Sequence, residues 1–195
     1  MNVIVKPAIT PWLRPAQGFF DLGMFEAAWA NLDNLEPSAK AHPETLMFRL
    51  EILFAQNRWD DAASLGAAYC RDWPTYGDFF FKTANALIIL TDYEKALVLL
   101  RSAPESLRRE AEYHFWVASC VCRAGRLEEA KAALSECHWD LTIQQLVLMD
   151  RAFELLWQVY GPLSQWGLTS TDPNINLKYL CDWSKGHRLY KSRPG

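Results

Sequence analysis

The chain has 195 residues, half of them hydrophobic, which is enough to bury a sizeable core without disulfides or metals. With 20 basic residues against 23 acidic ones and a net charge of -3, no global field draws it to nucleic acid or to anionic lipid. Five cysteines without framework spacing read as reduced thiols, and the N-terminal apolar run is broken by Lys6 and Pro7 before it could form a secretory or membrane-spanning segment. A cytoplasmic location is expected.

In chain order, residues 1–14 carry Pro7 and Pro11 and are expected to be extended, with Trp12 and Leu13 laid along the first helices. A motif then recurs: Gly23 to Ala28 (GMFEAA), Asn57 to Ala62 (NRWDDA), Thr91 to Ala96 (TDYEKA) and Gly125 to Ala130 (GRLEEA). The closing alanines fall at 28, 62, 96 and 130, always 34 residues apart, and equal spacings of that size mean a stacked array. Each block is a turn followed by a helix start, its acidic residues suiting the positive end of the helix dipole. Upstream of three blocks, apolar residues recur at helical spacing: Leu46, Leu50, Leu53 and Phe54; Phe80, Ala84, Leu87 and Ile88; Val117, Ala118, Val121 and Cys122. Every unit is therefore a pair of helices. After a loop over 161–172, Asp172 and Pro173 open a short helix to about Lys185 bearing Ile175, Tyr179, Leu180 and Trp183, and a basic, solvated tail ends the chain.

A 34-residue unit of two antiparallel helices resembles the tetratricopeptide repeat (TPR). The resemblance rests on small residues at repeat position 8 (Ala16, Ala84, Ala118, Ala152), large apolar ones at 11 (Phe19, Leu53, Leu87, Val121, Leu155) and Phe25, Trp59 and Tyr93 at the aromatic position 17. It implies an all-α, right-handed α-solenoid of about four TPR helix pairs, plus an additional half-repeat and a C-terminal capping segment. The units run over about 15–41, 43–75, 77–108 and 110–140, with a half-repeat of one helix over 141–160, and 161–195 forms the loop, short helix and tail. Three departures stand out. Leu50 replaces the small residue of the second unit and Gly66 its large partner, which a volume swap across that interface would reconcile. Leu127 replaces the aromatic of the fourth. Pro37 and Pro104 come early and should shorten their helices.

Residues with catalytic potential form no catalytic set. Cys120 and Cys122 are two apart in a helix and cannot converge on a metal, Cys137 with His138 lacks an orienting third group, and His114 stands in for a packed aromatic. Without a phosphate loop or a hydrolase motif either, an enzyme, a metal site and a cofactor are not expected.

The resemblance implies instead a concave surface lined by the first helix of each unit. Position 2 is Glu44, Asp78 and Glu112; position 5 is Met47, Phe81, Phe115 and Met149; position 9 is Glu51, Asn85, Ser119 and Phe153; position 12 is Phe54, Ile88, Cys122 and Leu156. This groove would have an apolar floor beside an acidic column. The carboxylate clamp of TPR proteins that hold heat-shock chaperones needs lysine at position 5, and here that position is methionine or phenylalanine. A methionine-bearing apolar floor suits an amphipathic helix or extended apolar peptide of a protein partner, as in the TPR chaperones of bacterial type III secretion. The expectation is thus a protein-binding scaffold, with a secretion or assembly chaperone as the specific variant. Against it stands a structural or oligomerisation module whose groove is filled by its own C-terminal segment or by a second copy.

Overall fold

The computed structural model describes residues 10–137, 143, 146–147 and 150–161, and divides the chain into two compact units, Met1–Leu90 and Thr91–Gly195. The expected short helix near 173–185, the loop before it and the basic tail lie outside the described residues.

In the first unit, a 3-10 turn over Pro11–Leu13 runs straight into α1 (Arg14–Asp21), so residues 11–14 are not extended as expected. The cause is local: Pro11 at the first position of the turn and Pro15 at the second position of α1 supply a φ already suited to a helix start. Leu13 is buried, while the Trp12 Nε1 donates to Thr45 Oγ1 at 3.3 Å and its ring meets His42 edge-on, which ties this end of the chain to the second repeat. The unit continues with α2 (Phe25–Asp33), α3 (Pro37–Lys40), α4 (Pro43–Ala55), α5 (Trp59–Asp72) and α6 (Gly77–Ile89). The second unit holds α7 (Tyr93–Arg101), α8 (Glu105–Arg108), α9 (Ala111–Arg123), α10 (Leu127–Ser135), a 3-10 turn at Arg151–Phe153 and α11 (Glu154–Tyr160).

The 34-residue period is written into the backbone. The second helices start at Phe25, Trp59, Tyr93 and Leu127, and the repeat alanines Ala28, Ala62, Ala96 and Ala130 are 0, 1, 0 and 0 % exposed. Two residues before each start the chain turns left-handed, at Gly23, Asn57, Thr91 and Gly125, with φ of 73°, 56°, 62° and 77°. At three of these turns the following N–H reaches back to Phe19, Leu53 or Val121 at 2.9 Å, closing the helix C-terminus in a Schellman motif. Glycine adopts this conformation freely and asparagine tolerates it. The β-branched Thr91 carries a strain of roughly 1–2 kcal/mol that the surrounding repeat must offset.

The second helices before Pro37 and Pro104 are short, as expected, though α10 also stops after nine residues without a following proline. α2 stops at Asp33 and α7 at Arg101, and Pro37 and Pro104 each then open a four-residue helix, whereas α5 runs 14 residues, to Asp72, before Pro74. The space at Gly66 is closed differently from expectation. A Cβ there would overlap the Thr83 Oγ1 of α6, and that hydroxyl is buried and donates to the Phe79 carbonyl at 2.6 Å. Thr83 therefore occupies the volume that a larger residue at position 66 would need.

Each unit has its own apolar interior. In the first, Leu13, Ala16, Ala28, Leu32 and Ile52 form one cluster with Phe19, Phe20 and Trp29 against it, and Leu53, Ala62, Ala63 and Ala86 form another. In the second, Leu97, Leu100, Val121 and Leu134 are buried, each stabilising the fold by about 1.5–3 kcal/mol relative to exposure. The single helix expected over 141–160 is interrupted at Asp150, whose backbone is extended at φ -87°, ψ 109°. Its side chain accepts from the Ala152 N–H at 2.9 Å and so caps a new turn.

Candidate functional site

In the first unit, α4 supplies Glu44, Met47, Glu51 and Phe54, and α6 supplies Asp78, Phe81, Asn85 and Ile88. Spacings of three and four residues put each set on one side of its helix. Glu44 and Asp78 are exposed, Met47, Glu51, Phe54 and Asn85 are half-buried, and Phe81 and Ile88 are buried. The carboxylates gather at one end: Glu44 accepts from the Thr10 hydroxyl, and the Tyr76 hydroxyl titrates above its ordinary range, first through burial and then through the charges of Asp78 and Glu44.

Sequence reasoning missed Lys82. Its ammonium pairs with the Glu51 carboxylate and sits 4.4 Å from the centroid of the Phe54 ring, while that ring meets Trp59 edge-on. A lysine one residue after the position-5 phenylalanine was visible, but only the packed structure brings it to a carboxylate 31 residues earlier. Half-exposed as they are, pair and cation–π contact together contribute on the order of 1 kcal/mol. The acidic column is thus Glu44 and Asp78 at one end, with Glu51 already neutralised.

In the second unit the apolar groove positions are buried, as Phe81 and Ile88 are in the first. Glu112 is half-buried and accepts from the Trp116 Nε1, but Phe115, Ser119, Cys122, Phe153 and Leu156 are all buried; Met149 lies outside the described residues. What covers α9 is the turn after Asp150. Ser119 Oγ donates to Asp150 Oδ2 at 2.5 Å, Arg123 to Oδ1 at 2.6 Å, and Cys122 Sγ to the Ala152 carbonyl at 2.9 Å. Phe153 packs its ring 6.0 Å from Phe115 and 5.9 Å from Trp157. These residues meet one another rather than solvent.

Nucleophilic chemistry finds no support among the described residues. Burial pushes the Cys70 thiol up to about 11, Cys120 to about 12 and Cys122 to about 11, so all three stay protonated near neutrality. Cys137 is buried as well, and His114 packs edge-on against Tyr113 with Glu136 3.6 Å away. Among the described residues no three histidines, cysteines or carboxylates gather as metal ligands, and no helix is long and apolar enough to cross a membrane.

No protein-family model matches the chain, and no curated protein matches it. Among solved structures it is similar to a thermophilic TPR protein of Thermus thermophilus, with a TM-score of 0.60 at 18% identity, over 91% of this chain and 97% of that one. The chain has a TPR-like, all-α solenoid fold. At this identity the likeness speaks for the fold alone.

Proposed function

We propose that the chain is a protein-binding scaffold whose docking surface is the α4/α6 side of the first unit. One observation carries the reading: Met47 and Phe54, large apolar residues on one side of α4, are only half-buried, with the exposed carboxylates of Glu44 and Asp78 at the margin. An amphipathic helix or extended apolar peptide with basic residues on its flank matches that surface in both respects. Its apolar side chains would cover Met47 and Phe54, and its cations would add on-rate and orientation more than affinity. A secretion or assembly chaperone is the specific form of this reading, because such proteins keep an apolar segment of their client covered until assembly. Phe81 and Ile88 support the floor from beneath, so they stabilise the site without meeting the ligand.

The alternative is a structural or oligomerisation module whose groove is filled by its own C-terminal segment or by a second copy; in the second unit the groove positions already meet the half-repeat, Asp150 and Ala152 hydrogen-bonding to Ser119 and Cys122 and Phe153 packing on Phe115. With those positions taken, the protein would bind through the first unit and carry the second as structure.

A panel of labelled amphipathic helical peptides with basic, neutral or acidic flanks tests the proposal. Basic-flanked peptides should bind best, and Met47→Glu should weaken them at least about tenfold, the equivalent of about 1.4 kcal/mol, with helical content unchanged. The double change Glu44→Lys, Asp78→Lys should reverse the flank preference. Equal binding of all peptides by parent and variants would contradict the proposal.

A further inference from the structure

Two basic residues stand on α4 and α6, and they are used differently. Arg49 is taken by α2, its guanidinium paired with Asp33 at 2.7 Å and lying 5.0 Å from the Trp29 ring centroid. Lys82 reaches from α6 to α4 instead, where its ammonium pairs with Glu51 and rests 4.4 Å from the Phe54 ring centroid. Its side chain is 23% exposed against 41% for that of Glu51, so the cation is the better covered of the two. At the other end of the same side the carboxylates keep their charge. Glu44 meets a neutral hydroxyl, that of Thr10, Asp78 is exposed, and both charges are felt at Tyr76. Glu51 follows Glu44 by two turns, roughly 10 Å along α4. The side is thus negative where α4 and α6 begin and neutral two turns on, beside Phe54.

We propose that Lys82 is the specificity-determining residue of the α4/α6 surface and restricts it to ligands that are basic on one flank only; this rests on the docking surface proposed above. A helix laid across α4 and α6 has one flank over Glu44 and Asp78 and the other over Glu51 and Phe54. The first flank meets net negative charge. At the second, a ligand cation would gain both a carboxylate and an aromatic face, but Lys82 already holds both. A basic residue placed there meets a like charge at close range and gives up water without a carboxylate in return, which is discrimination by repulsion. The asymmetry also sets direction. Reversing the ligand helix exchanges its flanks, so a helix that is basic on one flank docks one way round. Without Lys82, Glu51 would extend the acidic column to three carboxylates, and the surface would accept basic residues on either flank.

Two labelled amphipathic helical peptides with the same apolar side test the inference on the full-length protein, one with lysines on a single flank and one with lysines on both. In dilute buffer the parent should bind the both-flank peptide no more tightly than the single-flank one. Lys82→Met should tighten the both-flank peptide at least about threefold and change the single-flank peptide by less than about twofold. That gain should vanish in about 0.5 M salt and when Glu51→Gln is added to Lys82→Met. Lys82→Gln, polar but uncharged, should reproduce the shift, and it decides the matter if the methionine variant loses helical content. An equal change for both peptides, no change, or a gain that survives Glu51→Gln would overturn the role of Lys82 while the parent's binding of the single-flank peptide leaves the docking surface standing. Failure of the parent to bind either peptide would overturn the docking surface and this proposal with it.

Discussion

Lys82 and Asp150 occupy the same repeat position, one in each unit, and both reach the residue 31 positions earlier, Glu51 in the first case and Ser119 in the second. The outcomes diverge because of side-chain length. A lysine stem spans the gap from an unbroken helix, lets its ammonium rest over Phe54 and leaves that ring half-exposed. An aspartate has one methylene, so the backbone itself comes to Ser119 and Arg123: the helix breaks, the oxygen that accepts from Arg123 also caps Ala152, and Phe153 packs onto Phe115. One slot thus accompanies the half-buried ring of Phe54 in the first unit and the buried Phe115 and Cys122 in the second. What a repeat position presents depends on how far its side chain can reach, as much as on its place in the repeat.

Breaking the closed side should have the largest effect. Asp150→Ala leaves the Arg123 guanidinium and the Ser119 hydroxyl without their acceptor and removes the cap of the 3-10 turn. A cost of about 2–3 kcal/mol is expected, reduced from the value for fully buried pairs because Arg123 is one-third exposed. Chemical denaturation followed by far-ultraviolet circular dichroism reads it.

A smaller effect isolates packing from charge. Gly66→Ala gains helix propensity but drives a methyl into Thr83 Oγ1, whose hydrogen bond to Phe79 must then yield, so a net loss of about 1–2 kcal/mol is expected. In a Thr83→Ala background the same change should be neutral or stabilising. A double-mutant cycle without that coupling would reject the account of Gly66.

Loosening the open side should cost least. Lys82→Met keeps most of the stem over Phe54 and removes only a half-exposed ion pair, so stability should fall by less than about 1 kcal/mol in the same denaturation experiment. A loss as large as that of Asp150→Ala would mean the two slots do equivalent structural work.

Much of this was legible in the sequence because it is local. The alanines at 28, 62, 96 and 130 and the turn residues before them fix where each second helix starts, and a helix closing through a left-handed residue needs only Gly23, Asn57, Thr91 or Gly125 in place. The four-residue helices that Pro37 and Pro104 open are local too. The rest depends on pairs distant in sequence. The break at Asp150 is set by Arg123 and Ser119, the closure at Gly66 by Thr83, and the neutralisation of Glu51 by Lys82. Groove positions carried over from the repeat pattern fix which side of a helix a residue takes. They cannot fix whether another segment lies on that side, which is why Met47 and Cys122, assigned to the same groove, differ in exposure.

The most direct test of the contrast between the units is the labelling rate of Cys122 in the native protein, followed by peptide mapping with a small thiol reagent. In the parent, Cys122 is 5% exposed, donates to the Ala152 carbonyl and has its thiol raised to about 11 by burial, so labelling near pH 8 should be slower than that of an unfolded control by orders of magnitude. Asp150→Ala should speed it at least about tenfold while Cys70, in the first unit, stays as slow as before. Equal rates for Cys122 in the parent and the variant would contradict the claim that Asp150 holds the cover over α9.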